Sequence, residues 1–334
     1  MRAVYAAGVN GDDPLGELVV GDLDRRSCAV PEQVGRWSTI AVASTSVNHH
    51  DLWSLQGVGL DPGLTPMILG TDAAGILEDD IGGPHGLKAG SEVVLYTVLG
   101  PDGFGVEPGV PRTILSELYP GTMAEHACVP CAHVFAKPKN LSMDEACVLS
   151  TSWLTAYSLL FSCARVKPGD SVLVQGAGGA VSTAAVQLAH AAGLEVFVAS
   201  RSADRRKRAR GIGADAAFET GARLPHRVDA VVESVGAATW SHSVRSVRPG
   251  GTIAVCGATS GDQPPAELTR VFFHDIRIQG NTMGSLQDFA RLLRFVERAD
   301  LHPVIDSVYA FERARDAFAR LRDGQVFGNV IIRM

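Results

Sequence analysis

Apolar and polar positions alternate differently in the two parts of the chain. As far as about residue 150, apolar residues come in short segments, such as TIAVASTSV and SEVVLYTVL, separated by turns such as GLDPGLTP. This pattern is typical of a β-rich domain, because short strands that end in glycine- and proline-rich turns produce it. Residues 97–122 break the pattern and are predicted to form a long loop.

From residue 141 the spacing of apolar residues becomes helical. The segment LSMDEACV begins with Ser142, which is followed three residues later by Glu145 in the arrangement of a capping box. The apolar strands DSVLVQ, EVFVAS, VDAVVES and GTIAVCGA then alternate with helical segments, and a last strand, GNVIIRM, closes the chain. Strands that alternate with helices in this way predict βαβ units in one parallel sheet, over about residues 153–281.

Composition limits the possible classes of protein. The 334 residues are 46% hydrophobic and 20% charged, which is a globular profile, and the formal net charge of -6 argues against a general nucleic-acid binder. The first residues lack a cationic leader, and no apolar run of about 18 residues is found, so we expect neither a signal peptide nor a membrane span. A cytoplasmic protein without nucleic-acid or membrane partners is therefore predicted.

Six cysteines are spread along the chain, from Cys28 to Cys256, and only Cys128 and Cys131 form a C-x-x-C pair. No second pair of cysteines or histidines follows that would complete a zinc site. Cysteines in a long chain of intracellular type usually stay reduced. We therefore interpret this pair as small buried apolar residues.

A glycine-rich turn, VLVQGAGGAVS, lies between a predicted strand and a predicted helix. Backbone N–H groups at a helix N-terminus carry partial positive charge, and small residues let a diphosphate approach them. A tight turn without a ligand is the alternative, but the surrounding strands and helices favour a dinucleotide site. The residues assigned to this site are Gly176, Ala177, Gly178, Gly179, Ala180 and Val181.

The end of the second strand of this region indicates which dinucleotide is bound. An acidic residue there would accept a hydrogen bond from the ribose 2′-OH of NAD, but the sequence has Ser200 and Arg201. Arg201, Arg205 and Arg208 are predicted to share one face of the following helix, within reach of the 2′-phosphate of NADP. A solvated basic helix face is the alternative, and NADP(H) is the predicted cofactor.

Several motifs, taken in order, carry a resemblance to a known superfamily: SVNHHDLW, MILGTDAAGI, LKAGSEVVLY, AEHACVP, LSTSWLTAYSLL, VKPGDSVLVQGAGGAVSTAAVQLA, RPGGTIAVCGATSG and FGNVIIRM. With them the chain resembles the medium-chain dehydrogenase/reductase superfamily over nearly its whole length, and it looks closest to the zinc-independent quinone oxidoreductase-like branch. The resemblance implies an α/β fold in which a Rossmann domain, a doubly wound parallel sheet at 153–281, is inserted into a GroES-like β-rich catalytic domain. That catalytic domain is expected to comprise residues 1–152 and 282–334.

The resemblance also bears on metal binding. Zinc alcohol dehydrogenases of the superfamily use a Cys, a His and a second Cys as catalytic ligands, and the matching positions here are Asn48, Thr71 and Thr151. An amide and two hydroxyls do not replace thiolate and imidazole as zinc ligands. The loop at 97–122, where relatives carry four structural cysteines, contains none, so no metal site is expected.

Without a Lewis acid, the expected chemistry is hydride transfer from a nicotinamide to an activated carbon–carbon double bond or a quinone, with a proton from a donor. The motif match places Asn48, His49 and Asp51 near the reacting centre. Similar double-bond reductases often have Tyr or Phe where His49 stands, which makes His49 the candidate proton donor or carbonyl clamp. A histidine with a purely structural part is the alternative.

The resemblance assigns further residues to the cofactor. Thr155 matches the threonine that packs on the nicotinamide, and three loops at strand ends match those that hold the nicotinamide ribose and carboxamide. The family often has Lys where Asn329 stands, so Asn329 is assigned to the cofactor without a charge-assisted contact. The loop residues are Ser234, Val235, Gly236, Gly257, Ala258, Thr259, Thr282 and Met283.

Three functions are compatible with the sequence. The first is an NADPH-dependent, zinc-independent reductase of a quinone, an enone or another α,β-unsaturated carbonyl, which acts on small molecules as a homodimer. The second is an alcohol or aldehyde oxidoreductase that uses Asn48 and His49 in place of a metal. The third is a dinucleotide-binding protein without turnover. The departures from the family at Ala177, Ser182 and Asn329 keep the third function open.

Overall fold

The computed structural model describes residues 1–24, 37–81, 86–100 and 112–334. Packing divides the chain into two compact units. The terminal unit is formed by Met1–Thr151 together with Ser285–Met334, and the central unit by Ser152–Gly284. Both ends of the chain thus belong to one unit, and a single internal segment forms the other.

Strands and helices are numbered in chain order. The strands are β1 (Arg2–Ala6), β2 (Leu18–Asp22), β3 (Trp37–Val47), β4 (Met67–Ile68), β5 (Ala74–Leu77), β6 (Glu92–Leu95), β7 (Val98–Leu99), β8 (Thr113–Ile114), β9 (His126–Pro130), β10 (Val134–Ala136), β11 (Ser171–Gln175), β12 (Glu195–Ala199), β13 (Ala216–Phe218), β14 (Val228–Glu233), β15 (Val247–Val255), β16 (Arg277–Gly280), β17 (Ile305–Ala310) and β18 (Asn329–Arg333). The α-helices are α1 (His49–Leu55), α2 (Met143–Cys147), α3 (Leu154–Tyr157), α4 (Ala180–Ala191), α5 (Ala203–Gly211), α6 (Ala237–Ser246), α7 (Leu268–Phe273), α8 (Leu286–Arg298) and α9 (Ala314–Arg322).

The central unit is built on six parallel strands in the order β13-β12-β11-β14-β15-β16. The middle strand β11 is buried at all five of its positions, as a continuous apolar run in a parallel sheet predicts. This order is that of a doubly wound dinucleotide-binding sheet, and the predicted parallel sheet is confirmed. The edge strand β13 escaped prediction because its three residues, AAF, are too few to give a strand pattern.

The terminal unit is centred on the long strand β3. Its residues alternate between half-buried and buried along most of their length, which fits a sheet with one face on a core. β3 pairs antiparallel with β5, β9 and β18, so that β18 lies inside the sheet, between β3 and the edge strand β17. The predicted β-rich domain is confirmed.

The segment predicted as a long loop, 97–122, contains two short strands. There β7 and β8 pair antiparallel, with Val98 opposite Ile114 and Leu99 opposite Thr113. The loop prediction was wrong for these residues because two-residue strands are too short to show alternation. Residues 101–111, like Cys28, lie outside the described part of the chain.

A continuous helical stretch, Met143–Cys163, contains α2 and α3. The predicted capping box at its start is confirmed, since Ser142 Oγ accepts from Glu145 N at 3.3 Å and Glu145 Oε2 accepts from Ser142 N at 2.9 Å. With 21 residues and a mean hydropathy of 1.3, the stretch could by length and composition span a membrane, so the expectation that no such apolar run exists was wrong. Within the fold 72% of its most apolar window is buried, which is typical of a core helix.

The C-x-x-C cysteines are less buried than predicted. Cys128 lies on β9 and Cys131 follows that strand, and both are only partly buried, whereas Cys147 is buried in full. Cys128 Sγ lies 3.7 Å from Thr39 Oγ1 on the neighbouring strand. No disulfide joins the five cysteines that the structure describes.

Candidate active site

The start of α1 places two of the predicted catalytic residues, Asn48 and Asp51. Asn48 directly follows β3 as the N-cap of the helix, and its backbone N–H donates to Asp51 Oδ2 at 2.7 Å. The other oxygen, Asp51 Oδ1, accepts from Gly70 N at 2.9 Å. Burial raises the pKa of Asp51 to about 6. Asp51 therefore joins the helix to the turn at Gly70, and its carboxylate is engaged by backbone rather than by His49.

Asn48 is bound in turn to a second buried carboxylate, Asp72, which sequence reasoning missed. Asn48 Nδ2 donates to Asp72 Oδ2 at 2.8 Å, and Ser46 Oγ donates to the same oxygen. Asp72 Oδ1 is buried as well. Burial raises the pKa of Asp72 to about 6. A signal for this residue was present in the motif MILGTDAAGI, where Asp72 directly follows Thr71.

The three positions that match zinc ligands in relatives form polar contacts within the terminal unit. Thr71 Oγ1 and Thr151 Oγ1 are 2.9 Å apart, and Thr151 Oγ1 also donates to the backbone oxygen of Thr71 at 2.9 Å. Asn48 is committed to Asp72. An amide and two hydroxyls that bind protein groups do not fit a zinc ion, whose protein ligands are thiolates, imidazoles and carboxylates. Across the described residues, no three His, Cys, Asp or Glu side chains cluster as a metal site.

His49, the predicted proton donor, is exposed at the first position of α1. Its ring lies beside that of Trp53, one helical turn further on, with ring centroids 6.1 Å apart. The protein around the imidazole disfavours its charged form and lowers its pKa. The ring is thus largely neutral at pH 7, a form in which one nitrogen donates a hydrogen bond and the other accepts one.

The glycine-rich turn has the geometry that a diphosphate requires. Gly176 follows β11 with a φ of 80°, a left-handed conformation that favours glycine. α4 then begins at Ala180 after Gly179, and no side chain caps this N-terminus. Its first backbone N–H groups are therefore open to an anion, and the predicted Gly176–Val181 segment fits the diphosphate of a dinucleotide.

The end of β12 holds the predicted 2′-phosphate residues, with one correction. Ser200 is buried directly after the strand, and Ser202 Oγ caps α5 by accepting from Arg205 N at 3.3 Å. Arg201 therefore lies in the turn before the helix, and the prediction that it shares a helical face with Arg205 and Arg208 was wrong. The Ser202 cap, which starts the helix later than expected, is the reason.

Sequence reasoning missed Arg206, a residue of α5 whose side chain binds the backbone of this turn. Its guanidinium Nη1 donates to the backbone oxygen of Ser200 at 2.6 Å and to that of Arg201 at 3.1 Å. Arg206 thus points back along α5 and holds the backbone of the turn. The five basic residues of RRKRAR look alike in the sequence, so nothing there indicated that Arg206 binds the backbone of the turn.

Two further predicted loops follow β14 and β15. Because the carboxyl ends of parallel strands meet at one edge of a sheet, Ser234–Gly236 and Gly257–Thr259 lie along the same edge as the glycine-rich turn. Ser260 binds the two loops together, since its N and Oγ both donate to Val235 O, at 2.7 and 2.6 Å. Gly236 has a φ of 90°, and a Cβ on it would lie 2.4 Å from Gly261 O.

Three of the remaining predicted cofactor residues lie together within the central unit. Thr155 Oγ1 is 3.6 Å from Met283 Sδ, and exposed Thr282 precedes that methionine. Met283 has a φ of 58°, a strained conformation for a non-glycine residue, and Asn281 Nδ2 holds its backbone oxygen at 2.7 Å. Asn329 instead belongs to the terminal unit, where it is buried on β18 and donates to Val304 O at 3.1 Å.

Family models match two parts of the chain, an alcohol dehydrogenase GroES-like domain at residues 35–139 and a zinc-binding dehydrogenase at residues 180–298. A zinc-type alcohol dehydrogenase-like protein of Schizosaccharomyces pombe is 28% identical over 321 residues, which cover 88% of this chain and 90% of that protein. A 2-methylene-furan-3-one reductase of Solanum lycopersicum is 30% identical over 278 residues, 80% of this chain and 63% of that protein. The crystal structure of an NAD-dependent alcohol dehydrogenase has a TM-score of 0.87 and 33% identity, with both chains covered in full.

Proposed function

The chain belongs to the medium-chain dehydrogenase/reductase superfamily and is an NAD(P)-dependent oxidoreductase, and we propose that it is an NADPH-dependent, zinc-independent reductase of a quinone, an enone or another α,β-unsaturated carbonyl. One observation carries this proposal. The positions of the three zinc ligands hold Asn48, Thr71 and Thr151, whose side chains bind other groups of the protein. Reduction of a polarised double bond is the reaction of this family that least requires a Lewis acid.

In this proposal, residues of the chain bind the cofactor and polarise the substrate. When bound, NADPH supplies the hydride. The N-terminus of α4 and the Gly176 turn would hold its diphosphate, and Ser200, Arg201 and Arg205 would hold the 2′-phosphate. The neutral ring of His49 donates a hydrogen bond to the substrate oxygen and so polarises the double bond. Asn48 and Asp51 hold the start of α1 and thereby orient His49.

Steady-state kinetics and metal analysis test this function together. We expect reduction of enones or quinones with NADPH, slower rates with NADH, and no stoichiometric zinc in the purified protein. A preference for NADH of tenfold or more would refute the cofactor assignment. The absence of turnover with every quinone and enone tested would refute the reaction.

A second candidate is an NAD-dependent alcohol dehydrogenase. The solved structure of that description, which matches over its full length at 33% identity, favours it. Oxidation of simple alcohols with NAD that is lost on treatment with a chelator would establish this candidate. Such a result would also refute zinc independence, despite the amide and hydroxyls at Asn48, Thr71 and Thr151.

We further propose that the enzyme is a homodimer. The edge strand β16 and the helix α7 present an exposed, partly apolar surface on the central unit, formed by Leu268, Phe272, Phe273 and Ile278. Surfaces of this kind are typical of protein interfaces.

A further inference from the structure

A buried carboxylate that the proposed chemistry does not use lies at the end of β14. Glu233 is fully buried, and no Lys or Arg of the described residues forms an ion pair with it. Four protein groups donate to it instead: Val235 N at 2.8 Å, Gly236 N at 3.1 Å, Thr239 Oγ1 at 2.9 Å and Ser243 Oγ at 2.6 Å. Burial of a carboxylate raises the free energy of the folded state, and these donors offset that cost.

The two backbone donors belong to the loop that leads into α6. Helix N-termini attract anions, but the first N–H groups of α6 are already used within the protein, since Ala237 N donates to Gly261 O at 3.0 Å and Ala238 N to Ser260 Oγ at 3.0 Å. The N-terminus of α4 has no corresponding side chain. The sheet edge thus presents one helix start already occupied by the protein and another open to a diphosphate.

Glu233 fixes the Ser234–Gly236 loop from within. Val235 is held on both sides, because its N–H donates to Glu233 and its oxygen accepts from Ser260. Gly236 is held in its left-handed conformation, at a φ of 90°, by the same carboxylate. The loop is therefore shaped before any ligand arrives.

Hydrogen bonds connect Glu233 to the neighbouring strand β11. Ser243 Oγ donates to Glu233 and accepts from Gln175 Nε2 at 3.0 Å. Gln175 is the last residue of β11, directly before Gly176. Gln175 Nε2 also donates to His242 Nδ1 at 3.0 Å, and His242 Nε2 donates to Ala222 O at 2.8 Å. One continuous network thus joins the strand before the glycine-rich turn to the Ser234–Gly236 loop.

We propose that Glu233 is a positioning residue for the dinucleotide: through its backbone bonds and the Ser243–Gln175 link it holds the Ser234–Gly236 loop and the glycine-rich turn in mutual register for binding. The inference rests on the cofactor assignment of the proposed function, but not on the substrate or on the choice between NADPH and NADH. Because it concerns prior shaping of a binding loop, it predicts an effect on affinity rather than on the chemical step.

Two substitutions at Glu233 distinguish the loss of its hydrogen-bond acceptor from the loss of its negative charge. Glu233→Leu removes the acceptor for both backbone N–H groups, whereas Glu233→Gln keeps one oxygen that can receive them. We expect Glu233→Leu to raise the Kd for NADPH by about tenfold or more, with Glu233→Gln between it and the wild type. The KM for NADPH should rise in parallel, while kcat at saturating NADPH should change little.

Asp306→Leu is the control for a loss of stability. Asp306 is a carboxylate in the terminal unit that also accepts a backbone bond, from Phe327 N at 2.9 Å, and it forms an ion pair with Arg320. Its loss should lower Tm but leave the Kd unchanged. Titration of NADPH and NADH by fluorescence, well below the Tm of each variant, measures affinity, and hydrogen exchange at Val235 and Gly236 without cofactor measures the loop directly.

The outcomes separate this inference from the proposed function. Faster exchange at Val235 and Gly236 together with a raised Kd in Glu233→Leu supports the role of Glu233. A Kd within twofold of the wild type in folded Glu233→Leu, or an equal rise in Asp306→Leu, overturns it. If Glu233→Leu does not fold, Ser243→Ala, which cuts the link to Gln175, must raise the Kd, and an unchanged value overturns the inference. A wild-type protein that binds NADPH but reduces no enone or quinone refutes the proposed function alone.

Discussion

Asp72 shows how a single residue can lower the stability of the fold that contains it. It is fully buried, and the hydrogen bonds that it accepts from Ser46 and Asn48 reach the same oxygen, Oδ2. Burial raises its pKa to about 6, so the folded chain binds this proton more tightly than the unfolded chain does. The contribution of Asp72 to the free energy of unfolding therefore falls as the pH rises from about 4 to about 6, and it stays low above that range.

We predict that Asp72→Asn raises the Tm near pH 7.5, because an amide oxygen can still accept from Ser46 and Asn48 without a buried charge. The gain should be at most about 3 kcal/mol and should vanish near pH 4. Thermal melts across this pH range measure it. Asp80→Asn is the control: Asp80 is exposed, and hydrogen bonds from Ala89 N and Lys88 lower its pKa, so its replacement should give no gain at any pH. A lower Tm for Asp72→Asn near pH 7.5 would contradict the prediction.

His49 should matter for rate and not for stability, because the residue lies at the exposed start of α1 and, among the described aromatic rings, its ring lies beside that of Trp53 alone. We predict that His49→Ala lowers kcat/KM for an enone by about 100-fold with little change in Tm, since general acid or hydrogen-bond assistance is worth about that much. His226→Ala is the control, because His226 is an exposed histidine that pairs with Glu195 on the surface of the central unit. Equal rates for His49→Ala and wild type would mean that the histidine has a structural part only.

Among the secondary-structure elements, α5 carries the proposed choice between NADPH and NADH. Its Arg206 side chain is bound to the backbone of the turn that holds Ser200 and Arg201. We predict that Arg206→Met lowers the ratio of kcat/KM with NADPH to that with NADH by about tenfold, because the turn loses its shape. Lys207→Met removes an exposed charge of the same sign one residue further on and should leave the ratio within twofold. An equal fall in both variants would show that net charge, and not the turn, sets the preference.

Elements with a long or strongly periodic pattern could be predicted, and short or polar ones could not. β11 and α4 were predicted because apolar runs and helical spacing report burial directly. α7 and β13 were missed, since α7 is largely exposed and β13 has three residues. Arg201 was placed on a helix because the Ser202 cap, which ends the turn, looks in sequence like any other serine.

The candidate site shows the same division. The residue types at Asn48, Thr71 and Thr151 could be read from sequence, and so could the glycine-rich turn. Their hydrogen-bond partners could not, because Asp72 and Glu233 are joined to the site through folded geometry and not through spacing along the chain.

At the scale of the whole molecule, the folding of the chain depends on contacts between its ends. β18, formed by residues 329–333, pairs with β3 on one side and with β17 on the other. The terminal unit therefore needs two separate parts of the chain, 1–151 and 285–334, while the central unit is a single continuous segment. Among the described strands, β16 forms one edge of the central sheet.

We predict that two copies of the chain associate through the exposed face of the central unit that α7 and β16 form. β16 pairs with β15 alone among the described strands, and Leu268, Phe272 and Phe273 beside it are 69%, 63% and 71% exposed. Antiparallel pairing of β16 with its own copy about a twofold axis is self-complementary and would cover these side chains. Sedimentation velocity should show a dimer for the wild type and a monomer for Phe272→Glu/Phe273→Glu. Val58→Glu, which alters an apolar residue that is 58% exposed on the terminal unit, should remain dimeric. A monomeric wild type at micromolar concentration, or a dimer that survives the double substitution, would refute this interface.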